Sequence, residues 1–95
     1  MIKHVVCFKL KDGESPEKVK EVLLSMQGNV PMLKGIEVGI DELKSNRSFD
    51  VMLTVLLDDF NALSDYQVDQ YHCDVVKKHM YAVTEKSISM DYTLD

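Results

Sequence analysis

Gly35-Ile-Glu-Val-Gly-Ile-Asp-Glu-Leu43, the short polar connection Lys44-Ser-Asn-Arg-Ser48, and Phe49-Asp-Val-Met-Leu-Thr-Val-Leu-Leu57 decide the fold of this chain. In the first stretch Ile36, Val38 and Ile40 alternate with Glu37, Gly39 and Asp41, the period of two of a strand with one apolar face. The second stretch, Phe49 to Leu57, is almost continuously apolar and suits a central strand covered on both faces. The connection between them is short, so the two strands form a hairpin.

Working outward, Ile2, His4, Val6, Phe8 and Leu10 alternate with Lys3, Val5, Cys7 and Lys9 and predict a first strand. Ser15-Pro16 supplies an N-cap and a first-turn proline for a helix over 16–27, with Val19, Val22, Leu23 and Met26 on one face and Gly28 placed to close it. After the hairpin, Asp58 or Asp59 can cap a helix carrying Phe60, Leu63 and Tyr66. A further helical stretch holds Val75, Val76, His79 and Met80. Residues from Thr84 to about Leu94 alternate Ile88, Met90, Tyr92 and Leu94 with Ser87, Ser89, Asp91 and Thr93, which predicts a last strand.

The order strand, helix, strand, strand, helix or helices, strand is the split βαβ arrangement: an α+β, ferredoxin-like βαββαβ fold with a four-stranded antiparallel sheet, in one domain over 1–95. Helices cover one face of such a sheet. The other carries Val5, Cys7, Met52, Thr54 and Leu56, too apolar for open water, and predicts a homodimer in which two sheets pack face to face.

A net charge of −5 over 95 residues leaves no basic patch for phosphates, so nucleic acid and anionic membrane are not expected partners. Two cysteines, Cys7 and Cys73, give no disulfide framework or metal spacing and are expected to be reduced, small buried hydrophobes. The opening residues lack a signal-peptide run and no apolar stretch reaches the ~18 residues of a membrane span, so a cytoplasmic location is expected.

Four stretches carry a family resemblance: Ile2-Lys-His4-Val-Val-Cys-Phe-Lys-Leu10, Ser48-Phe49-Asp50-Val51, Tyr66-Gln-Val-Asp-Gln-Tyr-His72, and Asp91-Tyr92-Thr93. Together they make the chain resemble the stress-responsive A/B barrel, or Dabb, domain family over essentially its full length. The resemblance implies ferredoxin-like monomers whose sheets pair into a dimeric α/β barrel. It also implies a site: in the olivetolic acid cyclase of this family, which closes a linear polyketide by aldol chemistry, the functional tyrosine and histidines fall on Tyr66, His72 and His4 of this chain. Three positions depart from that pattern. Asp69-Gln70 stands where the family favours histidine-proline, and Val51 stands where the cyclase has a central-strand histidine.

A histidine near its ordinary pKa takes a proton at neutral pH, and a phenol beside it can orient it or donate to a carbonyl oxygen, the minimum apparatus for enolisation. In that reading His72 is the base and Tyr66 its partner, with His4 reaching them from the helix side of the first strand. Phe8, Phe49, Val51, Leu53 and Tyr92 are candidate walls for a small apolar or carbonyl-containing ligand. The competing reading makes the same residues satisfied polar groups and core. The methionines Met26, Met52, Met80 and Met90 serve either a pliable pocket or ordinary core filling. A metal set of His72, Asp69 and His79 is poorly placed, because His72 and His79 lie two helical turns, ~10 Å, apart. No cofactor is expected, since phosphate loops, nucleophile elbows and dinucleotide fingerprints are missing from the sequence. Two functions therefore stay open: a homodimeric small-molecule-binding protein acting by proton abstraction next to a carbonyl, with a cyclase or lyase outcome, and a non-catalytic stress or assembly module whose dimer is its purpose.

Overall fold

The alternation of Ile2 to Leu10 becomes strand β1 (Ile2–Leu10) in the computed structural model, which describes residues 1–94. It is followed by α1 (Pro16–Leu24), β2 (Gly35–Ile40), β3 (Val51–Leu57), α2 (Phe60–Val68), a π-helical stretch (His72–Lys77) that runs into α3 (Lys78–Val83), and β4 (Thr84–Thr93). The sheet order is β2-β3-β1-β4 with every neighbouring pair antiparallel. This is the ferredoxin-like α+β fold, in which α1 and the later helices pack on one face of the sheet. No described helix is long and apolar enough to cross a membrane.

Local chemistry explains the ends of the elements. Ser15 Oγ accepts from Lys18 N at 3.1 Å and Pro16 opens α1, as an N-cap and first-turn proline should. The helix stops at Leu24, short of the 27 expected, because the chain tightens into i→i+3 bonds, Met26 N to Leu23 O and Gln27 N to Leu24 O, before Gly28 turns it with φ +85°. Strand β3 starts at Val51 rather than Phe49. Asp50 is committed elsewhere: its N–H donates to Phe8 O, and its carboxylate accepts Leu10 N at 2.7 Å, at the register shift between Lys9 and Leu10 where the ladder to β4 slips. Asp50 is thus the clamp that holds the irregular end of β1, which gives the Ser-Phe-Asp-Val stretch a structural purpose.

The register separates two faces. On the helix side lie the rows Ile36, Val55, His4, Asp91; Val38, Leu53, Val6, Ser89; and Ile40, Val51, Phe8, Ser87. Of these, Val38, Val51, Leu53 and Val55 join Val19, Leu23, Met26, Val30, Tyr66, Val76, Met80 and Val83 in the core, with Phe8, Ile36 and Ile40 packed against it. On the far side lie Gly35, Leu56, Lys3, Tyr92; Glu37, Thr54, Val5, Met90; and Gly39, Met52, Cys7, Ile88. Met52 is 45% exposed and Met90 66% exposed there, with Ile88 and Tyr92 also open. Strand β4 therefore turns its apolar residues away from the helices and its serines toward them, the reverse of a strand that feeds this monomer's core. Cys7 and Cys73 are half-buried free thiols, not the sealed hydrophobes expected, because Cys7 stands on the uncovered face and Cys73 at the rim of the π-helical stretch.

Candidate functional site

The break between α2 and the last helical run is built by Asp69. It leaves α2 with an extended ψ of 134°, and its carboxylate turns back to accept the backbone N–H of His72 at 3.0 Å while its carbonyl accepts from Cys73 N. Asp69 is an N-cap for the helix that starts at Gln70. The position following it is a helix N1, where proline is well tolerated. The aspartate cap holds this turn without a proline.

Immediately after the cap the chain is π-helical from His72 to Lys77. His72 faces the core, and its Nδ1 lies 2.9 Å from the carbonyl oxygen of Tyr66. A carbonyl only accepts, so Nδ1 carries the hydrogen and Nε2 carries the lone pair. The imidazole stacks on the Tyr66 ring at a centroid distance of 4.1 Å and 25°. His4 meets the same phenol edge to face, at 5.7 Å and 66°. His4 Nδ1 lies 2.5 Å from Asp91 Oδ1, its cross-strand neighbour on β4. That carboxylate fixes the His4 tautomer as Tyr66 O fixes that of His72. Neither Nε2 has a hydrogen-bond partner among the described residues, and neither is sealed from solvent.

Burial holds the His72 imidazole below its ordinary pKa. Its hydrogen bond to Tyr66 O and the Asp69 charge pull the other way, while Lys77 and His4 add to the depression. The ring is therefore neutral at physiological pH. Burial, reinforced by the Asp69 carboxylate, pushes the Tyr66 phenol well above its usual range. Tyr66 is 0% exposed, and its hydroxyl donates to Met26 Sδ at 3.6 Å, toward the core. Its ring, not its O–H, is presented to the histidines.

An open cleft of about 230 Å³ is lined by both histidines, the Tyr66 ring, and the apolar side chains of Phe8, Leu53 and Met80 among others. Of the candidate walls, Phe8 and Leu53 stand here. Val51, 2% exposed, is packed in the core between Phe8 and Ile40 on the helix side of the sheet, and does not line the cleft. Phe49 lies before β3, with Lys86 Nζ 5.7 Å from its ring centroid, and borders a depression on the other face with Cys7 and Met52. Tyr92 also stands on that other face, paired with Lys3, because the pleat sends Asp91 inward and Tyr92 outward. Asp91 is the site residue that sequence reasoning missed: only the β1–β4 register sets it opposite His4. Among the described residues no group of three or more His, Cys, Asp or Glu is arranged to hold a metal ion.

Residues 2–94 match the family model of the stress responsive A/B barrel domain. The chain belongs to that family. This A/B barrel domain finds no match among curated proteins. Its backbone is similar to solved structures across their lengths. A protein from Arabidopsis thaliana has a TM-score of 0.82 at 22% identity, covering 100% of this chain and 96% of that one. A dimeric ferredoxin-like protein of unknown function from Thermobifida fusca has a TM-score of 0.80 at 20% identity, covering 98% and 90%. A hydroxynitrile lyase from Passiflora edulis has a TM-score of 0.77 at 16% identity, covering 99% and 93%. At these identities the likeness establishes the fold.

Proposed function

We propose that this A/B barrel domain is a homodimeric small-molecule-binding protein whose cleft takes a carbonyl compound and exchanges a proton at the carbon next to the carbonyl. The observation that carries this reading is the pair of imidazoles, each with Nδ1 committed to an oxygen and Nε2 open to one apolar cleft. Such a pair can remove a proton at one nitrogen and deliver one at another. His72, neutral and oriented by Tyr66 O, takes the α-proton on Nε2. The C–H electron pair becomes the enol double bond and the carbonyl oxygen takes the charge. His4, when protonated on both nitrogens, donates Nε2–H to that oxygen while Asp91 holds Nδ1–H. Tyr66 is a positioning residue, its ring in contact with both imidazoles. A lyase or cyclase outcome follows from what the enolate next does, and the hydroxynitrile lyase among the structural neighbours is compatible with a lyase.

The apolar outer face, with Met52, Ile88, Met90 and Tyr92 exposed on it, supports pairing of two copies sheet to sheet, and two of the structural neighbours are described as dimeric. Two free thiols fit a reducing cytoplasm. An open cleft with converging imidazoles weighs against a purely structural dimer.

The test uses 4-phenylbutan-2-one in D2O. Wild type is expected to show a ligand-induced thermal shift and to speed deuterium uptake next to the carbonyl above the buffer rate, whereas His72→Ala loses the exchange. An equal thermal shift in both proteins, with exchange at the buffer rate in both, would remove His72 from the site and the chemistry with it.

A further inference from the structure

Lys77 stands at the opposite end of the π-helical stretch from His72. On an α-helix two residues five apart point about 140° away from each other, so a lysine there would leave a cleft that the histidine enters. In a π-helix the backbone bonds run i→i+5, and a residue five positions on returns to nearly the same side, one turn further along. The unwound stretch thus brings Lys77 round to the face of His72, and both side chains line the same cleft. The ammonium is tethered there. Nζ donates to Gln67 O at 2.7 Å, a carbonyl on α2 whose residue also borders the cleft, and the remaining N–H groups have no other partner among the described residues.

The electrostatic setting is asymmetric. The chain carries −5 overall, yet Lys77 is the one charged side chain lining this cleft among the described residues, the two imidazoles aside, and no carboxylate lines it. An otherwise acidic protein thus presents a fixed cation at a mostly apolar recess. We propose that Lys77 anchors a carboxylate, so that the ligand is a carbonyl compound bearing an anionic group, with its apolar body against Phe8, Leu53 and Met80 and its carbonyl beside the histidines. This deepens the binding reading above and rests on it. The proximity of Lys77 to His72 is also felt in the imidazole, whose pKa the lysine lowers. A bound carboxylate that neutralises Lys77 removes part of that depression and makes His72 a stronger base in the complex than in the free protein.

Two probes that differ only at one end test the assignment: 2-oxo-4-phenylbutanoate and its neutral methyl ketone, 4-phenylbutan-2-one. Their dissociation constants are measured by calorimetry for wild type, Lys77→Gln and Lys77→Arg. Wild type is expected to bind the carboxylate about tenfold more tightly, the modest gain of a half-exposed charge-assisted hydrogen bond. Lys77→Gln removes that preference while leaving the neutral ketone within twofold of wild type, and Lys77→Arg retains it. A preference that survives Lys77→Gln, or no preference in wild type, overturns the anchor and leaves the binding site standing. Weakening of both probes alike in Lys77→Gln overturns it too, by giving Lys77 a structural role. Failure of both probes to bind wild type overturns the binding reading itself.

Discussion

Tyr66→Phe separates a phenol that acts through its hydroxyl from one that acts through its ring. The hydroxyl is fully buried with a thioether, Met26 Sδ, as its acceptor, so its removal at neutral pH should cost about 0.5–1 kcal/mol, the lower part of the range for a buried hydrogen bond. The fold and the stack on His72 depend on the ring and persist. The stability cost reverses in alkali. The folded-state pKa is raised above the ordinary value of 10.0, whereas the unfolded chain ionises near that ordinary value. The unfolded state therefore releases its proton first. The stability is fully present below pH 10 and is lost as pH rises above it, at up to about 1.4 kcal/mol per pH unit. The wild-type advantage is thus used up within about one unit, and Tyr66→Phe becomes the more stable protein somewhere between about pH 10 and 11. Every other group is common to the two proteins and drops out of the difference. Urea unfolding followed by circular dichroism from pH 7 to 11.5 reads both curves. Parallel curves over the whole range would refute the sealed hydroxyl, and loss of ligand-linked proton exchange in a well-folded Tyr66→Phe would refute the assignment of Tyr66 as a positioning ring.

Three further outcomes follow from the same geometry. The His72 ring should titrate below its ordinary 6.5 in a histidine NMR pH series; because the unfolded state then binds the proton first, stability owed to this group is present above pH 6.5 and falls on acidification, and a His72 midpoint at or above 6.5 contradicts the burial argument. Asp69→Ala removes the cap on His72 N and should cost about 1 kcal/mol with a larger loss of probe binding, measured by thermal melt and calorimetry; an unchanged melt would mean the cap is idle. Wild type should run as a dimer in size-exclusion with light scattering, and Met90→Lys, a charge placed on the open apolar face, should shift it toward monomer; a wild-type monomer at micromolar concentration ends the sheet-to-sheet proposal.

Much of the fold was legible because its signals are local. The period-two runs at Ile2–Leu10 and Gly35–Ile40, the Ser15-Pro16 start and the short link before β3 each act over a few residues, and their order left one arrangement standing. The same pleat rule placed His4 with Val6 and Phe8 on the helix side. What went unread was set by partners distant in sequence. Tyr92 was a candidate wall, but the β1–β4 register turns it outward and sends Asp91 to His4, 87 residues away. Val51 was likewise a candidate wall and is packed core here.

The sequence by itself determined the elements, their order and the presence of an apolar face turned away from the helices, because propensity, capping and alternation are written in neighbouring residues. Only the tertiary structure decided the geometry of the candidate site. It turned the Tyr66 hydroxyl into the core, paired His4 with Asp91, and unwound the helix after His72 so that Lys77 joined it. Each of these is fixed by strand register, by burial or by a change in helical pitch, and none of them leaves a mark on a window of adjacent residues.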